Sequence, residues 1–191
     1  MNGRSVILIK HAEAVLTAEV TAEHWQLSDR GRQQCLPLAD RLAPHSPSII
    51  LSSTEPKAIE TGQLISRRLK LPFDTALGLH EHDRSNVALV PREHFEQEMR
   101  RFFINPHDLV YGRESAEETK SRFLASVARV CRENPAGNLG LVTHGTVIAL
   151  LLAAANQRDP FDLFRQLATP SFAIVEPGTW RIQTLVTDIA I

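Results

Sequence analysis

Four side chains in this sequence have types and positions suited to chemistry on an anion. Two are imidazoles, His11 and His144, each following an apolar run at once and each followed by a small residue, Ala12 or Gly145. Lys10 precedes the first of them, and Lys57 falls in the opening turn of a helical segment, "LSSTEPKAIETGQLI". A single histidine in such a place reads as a hydrogen-bonded strand terminus, and a single lysine as a solvated surface charge. Two imidazoles in matching positions, each able to change charge near neutral pH and each within reach of an ammonium, read as a site.

The elements that must position them follow from the spacing of apolar residues. Residues 6–9 form a continuous apolar run, the pattern of a strand buried on both faces of a parallel sheet, and the pattern returns at "SIILSS" (48–53) and "NLGLVTH" (138–144). Helical period lies between. Cys35, Leu38, Ala39 and Leu42 follow a capping Ser28; Ala58, Gly62, Ile65 and Leu69 follow Ser52 and Ser53, with Pro56 where a first turn tolerates it. Phe95, Met99, Phe102 and Phe103 form one stripe that Pro106 stops, and Ser115 with Glu118 makes a capping box for a helix to about Glu133. The stretch from Thr146 to Ala155 is apolar on nearly every side, which places it centrally, and "SFAIVE", a "PG" turn and "RIQTLV" read as a hairpin at a sheet edge.

Alternating strands and helices predict a three-layer α/β/α sandwich with a mostly parallel central sheet. Ligand crevices of such sheets lie beyond the carboxyl ends of the strands. Lys10 and His11, then Ser52 and Ser53, then Thr143, His144 and Gly145 end the three strands, so all converge on one rim.

Composition narrows the partners. The 191 residues suit one domain, and 21 basic against 22 acidic residues leave no broad field for nucleic acid or membrane; a bound anion is held by a local site. Cys35 and Cys131 share no motif and read as ordinary core thiols. "VILI" is cut short by Lys10, and "TVIALLLAAA" falls below the roughly 20 residues that span a bilayer. These features lead us to expect a cytoplasmic protein.

Taken in order, the motifs resemble those of the histidine phosphatase superfamily, which includes the phosphoglycerate mutases. An apolar strand, Arg-His-Gly/Ala and then Glu is matched by "LIKHAEA", with Lys10 for the arginine; Leu-Thr/Ser-x-x-Gly is matched by "LSDRG" (27–31). "SSTEPKAIETG" matches the Ser-Ser-x-x-x-Arg-Ala-x-x-Thr-Ala element, with Lys57 for the arginine and Gly62 for the last alanine. "LHE" supplies the acidic element with Glu81, and "THG" the last one with His144. The matches span residues 6–152 in the family's order.

The resemblance implies a phosphoglycerate mutase-like fold and phosphoryl transfer through a nucleophilic His11, with His144 and the phosphate-binding Lys10 and Lys57 stabilising the equatorial oxygens. Glu81 serves as acid and then base, with Asp83 as its rival in "EHD", and Arg84 is a further candidate phosphate contact. It implies no metal and no cofactor, since ammoniums and imidazoles supply the positive charge; His80 and His82 lack a third ligand nearby in sequence. Replacing both arginines by lysines exchanges a planar fork for a point charge, which marks a retuned clamp.

The expected function is therefore a metal-independent phosphatase acting on a small phosphorylated substrate or a phosphoprotein. The alternatives are a phosphomutase and a non-catalytic phosphate-binding module. Residues 83–113 are expected either to pack as plain core or to cap the rim and select the leaving group.

Overall fold

Val6–Lys10 (β1) is apolar on both faces because helices cover both. Val6 and Leu8 join one core with Phe123, Val127 and Leu151, whereas Ile7 and Ile9 join another with Leu38, Ile65 and Phe172. The four apolar residues of the strand are fully buried, each contributing about 1.5–3 kcal/mol relative to exposure. The computed structural model describes residues 3–189. Its six strands lie in the order β3-β2-β4-β1-β5-β6: Phe73–Thr75 (β3), Pro47–Ser52 (β2), Asn138–Thr143 (β4), β1, Ser171–Val175 (β5) and Ile182–Val186 (β6). The first four in that order pair in parallel and β5 runs antiparallel to both neighbours. This is the mostly parallel α/β/α sandwich expected from the sequence, with the expected edge hairpin.

Helices Asp29–Leu42 (α1) and Pro56–Leu69 (α2) pack on one face of the sheet; Arg92–Ile104 (α3), Ala116–Glu133 (α4), Gly145–Asn156 (α5) and Pro160–Gln166 (α6) contribute to the other core. The Ser28 hydroxyl accepts from Gly31 N at 2.9 Å, and the Ser115/Glu118 capping box closes in both directions. Gly31 cannot be larger, because a Cβ there would collide with the Glu13 carbonyl. The N-cap of α2 is Glu55, whose backbone N–H donates to Ser53 Oγ at 3.1 Å while that hydroxyl also meets His144 Nε2 at 2.8 Å. Two elements were not foreseen, β3 with three residues and α6 with seven, both too short to display a period. Among the described residues no helix is long and apolar enough to cross a membrane.

Candidate active site

The strand order places β4 between β1 and β2, so the ends of these three strands are neighbours. His11 N donates to Thr143 O at 3.0 Å and Ser53 N donates to Val142 O at 2.8 Å, stitching the rim together just where the polar residues begin. The rings of His11 and His144 consequently meet edge to face, centroids 5.1 Å apart at 63°. They stand in the wall of a cavity of about 950 Å³ to which Glu55, Lys57, Glu81 and Arg84 also contribute.

His11 Nδ1 lies 2.7 Å from Ala12 O. A carbonyl only accepts, so Nδ1 carries the hydrogen and Nε2 holds the lone pair. Burial, then the neighbouring His144 and Lys57, hold this imidazole's pKa well below its ordinary value, so it is neutral at pH 7. Burial and Lys57 do the same to His144, which is fully buried at the head of α5. His144 Nε2 faces Ser53 Oγ at 2.8 Å and Glu55 Oε1 at 3.3 Å.

Glu81 is fixed by its own oxygens. Oε1 accepts from His82 N at 2.9 Å, and Oε2 from Thr146 N at 3.1 Å in the first turn of α5. Burial pushes its carboxyl up, but His144, Arg84 and these two backbone donors outweigh burial and hold it below the usual value. It is therefore ionised at neutral pH before substrate arrives. Asp83 is committed elsewhere: its Oδ1 accepts from both the backbone and the hydroxyl of Ser85, at 3.0 and 2.7 Å.

The loop carrying Glu81 is held from behind. Arg122 on α4 donates to the carbonyls of Gly78, His80 and Glu81 at 2.9–3.1 Å and pairs with Glu114 through two further bonds. Thr143 Oγ1 donates to Leu79 O at 2.6 Å, tying the same loop to the end of β4. His82 Nε2 donates to Glu114 O and its ring stacks on Phe102 at 4.2 Å, so it packs as part of this support. Burial lowers its pKa to about 4. Among the described residues no group of three or more His, Cys, Asp or Glu is arranged to hold a metal.

The two lysines part company. Lys57 reaches the cavity wall, nearly buried, where its ammonium pairs with Glu55 and donates to Ala22 O at 2.7 Å. The Lys10 ammonium instead donates to Leu167 O at 2.7 Å, 6.0 Å from the centre of the Phe164 ring, and does not line the cavity. It passes beside Gly145, where a Cβ would lie 3.2 Å from its Cε. This differs from the expected direct clamp. The physical reason is the open carbonyl at the end of α6, which offers the buried ammonium a partner. Burial nevertheless lowers the Lys10 pKa to about 8, with Glu81 opposing.

Glu55 was not foreseen. Oε1 also accepts from Glu81 N at 2.7 Å, so one carboxylate links Lys57, His144 and the acidic loop. The available signal was a glutamate two residues before Lys57 in a turn otherwise without charge.

The model of the histidine phosphatase superfamily (branch 1) matches residues 6–187. The chain is 23% identical over 184 residues to the uncharacterized phosphatase PhoE of Bacillus subtilis (strain 168), covering 94% of this chain and 92% of that one. It is 27% identical over 190 residues to phosphoglycerate mutase-like protein 4 of Arabidopsis thaliana, covering 93% and 83%. Among solved structures it is similar to an Entamoeba histolytica phosphoserine phosphatase in complex with 3-phosphoglyceric acid, with a TM-score of 0.78 at 17% identity over 97% and 98% of the chains. A family match over nearly the whole chain agrees with the facing histidines at adjacent parallel strand ends: the chain belongs to the histidine phosphatase superfamily.

Proposed function

We propose that the protein is a metal-independent phosphomonoesterase working through a phosphohistidine on His11. The observation that carries this reading is the state of that ring: neutral, with Nδ1–H fixed to Ala12 O, so Nε2 holds a free lone pair opposite His144. Nε2 forms a bond to phosphorus as the ester P–O bond breaks, and the electron pair leaves with the alcohol oxygen. Lys57, His144 and Arg84 face the developing charge, whereas Lys10 contributes its charge from outside the cavity wall.

Glu81 is ionised in the free site, so the proton for the leaving oxygen arrives with the substrate. A phosphate monoester has a second pKa near about 6 and carries that proton in part of its population. Glu81 relays it and then accepts one from the water that attacks phosphohistidine, which releases inorganic phosphate.

The test is hydrolysis of p-nitrophenyl phosphate with EDTA present. His11→Ala is expected to lower kcat by on the order of 10⁴-fold or more, as loss of a nucleophile does. Equal turnover in the variant would refute the covalent route.

A second reading, a phosphate-binding module without turnover, draws support from the Lys10 ammonium on Leu167 O and from Glu55 on Lys57. Complete inactivity of the wild type across a phosphoester panel would select it. Phosphoryl transfer to added monophosphoglycerate, without phosphate release, would select a mutase.

A further inference from the structure

A second cavity, of about 380 Å³, lies beside the first and is lined mainly by apolar groups, among them Val20, Val87, Leu89, Phe95 and Tyr111. Leu16, Ala22, Trp25, Arg84 and Arg92 line both cavities, so the two meet along one wall. Its size falls within the roughly 300–1,000 Å³ usual for small-molecule sites. We propose that this annex receives the alcohol part of the substrate, and that the protein acts on phosphomonoesters of aromatic or compact apolar alcohols. The proposal rests on the reading of the larger cavity as the phosphate site.

Three features argue for an apolar occupant continuous with a phosphate. Of the eight large apolar side chains exposed among the described residues, Leu16, Val20 and Leu89 line this annex; such a concentration on a monomer surface marks a binding site. The aromatic walls are already fixed. The Trp25 indole donates to Thr17 O at 3.0 Å, and Phe95 meets Tyr111 edge to face at 6.2 Å. The junction also holds a donor in reserve. Arg84 lies against Phe95, its guanidinium carbon 5.0 Å from the ring centre, and among the described residues its buried Nε has no hydrogen-bond partner. A guanidinium there can meet a phosphate oxygen while the carbon skeleton continues into the annex.

Polar side chains in the annex are Glu19, Thr21, Tyr111 and the two junction arginines, outnumbered by the apolar ones, which disfavours a polyhydroxylated leaving group. The segment expected to act as a cap supplies much of this wall, Val87 to Val90 and Phe95, whereas Met99, Phe102 and Phe103 of the same stripe are buried in the core. The loop before α3 and the first turn of that helix thus face the annex, while the later residues of the stripe pack in the core.

Binding and turnover test the proposal separately. Calorimetric titration of the His11→Ala variant should show 1-naphthyl phosphate binding about tenfold or more tightly than glycerol 2-phosphate, since burying a fused ring is worth a factor of tens before ordering costs. Adding Leu89→Asp or Val20→Asp should bring that ratio close to one. Both residues are 43–44% exposed, so these variants should fold. In the enzyme retaining His11, each aspartate should lower kcat/KM for naphthyl phosphate about tenfold more than it lowers that for glycerol 2-phosphate, the added charge acting on both esters and the lost apolar contact on one. Equal affinities for the two esters, or a preference that survives both aspartates, would overturn the annex. A naphthyl preference in binding without any turnover of either ester would support the annex and refute the phosphatase reading.

Discussion

Glu55 pairs with Lys57 and faces His144, so its charge reduces the positive field that Lys57 offers to an anion in the cavity. Removing its charge while keeping its shape should therefore strengthen anion binding. Glu55→Gln is expected to lower the inhibition constant for inorganic phosphate by on the order of tenfold, the scale of one charge at close range in a partly screened site. Competitive inhibition at two ionic strengths measures it, and weaker phosphate binding in the variant would show that orientation of Lys57 and His144 matters more than charge. Lys10 illustrates the cost of burial. Its pKa falls from 10.5 to about 8 on folding, so between those values the unfolded chain binds more protons than the folded one. Its contribution to stability rises with pH across that window and is least favourable below pH 8. Lys10→Met should abolish this contribution, which urea unfolding of both proteins at pH 7 and pH 10 will reveal as a smaller pH-dependent difference in the variant.

At the level of elements, the site depends on how α4 holds the loop that bears Glu81. Arg122 joins three loop carbonyls to Glu114, with both charged side chains about one-fifth exposed. Arg122→Ala should cost about 2 kcal/mol in urea unfolding, because it strips partners from several partly buried acceptors. On the proposed mechanism the same change should lower kcat by more than it alters KM, since Glu81 shifts while Lys57 and Arg84 stay. Unchanged kcat would show that Thr143 and the backbone donors of His82 and Thr146 suffice to fix Glu81. Local signals made much of this level legible. Ser28 and Ser115 cap helices as expected because capping involves residues three apart in sequence, whereas the Ser53 hydroxyl meets a histidine 91 residues away, a contact that no local signal announces.

In the whole molecule one sheet supports two cores, and the cavity opens where the parallel strands end. Phe123 on α4 is fully buried in the core shared by α3, α4, α5 and α6. Phe123→Ala should cost about 3–5 kcal/mol through lost burial and the cavity left behind. Denaturant midpoints will measure it. A loss much below that range would mean that the core closes over the gap. The smaller cavity depends on this packing, because Phe95 reaches it from a helix whose Met99, Phe102 and Phe103 are held in that core.

The sequence by itself determined the fold class and the three strand ends that carry polar groups, and it nominated Lys10, His11, Lys57, Glu81 and His144 as candidates, because residue type and period are local properties that survive without coordinates. Direction and company were decided only in three dimensions. Lys10 and Lys57 both read as cations beside the rim, yet one finds the carbonyl of Leu167 and the other the carboxylate of Glu55. A flexible ammonium goes to whichever acceptor the packed neighbours leave open, and those neighbours come from segments distant in the chain. The same holds for the annex, whose apolar walls from residues 16–25, 84–95 and 111 share no period and become a cavity only when the tertiary structure sets them face to face.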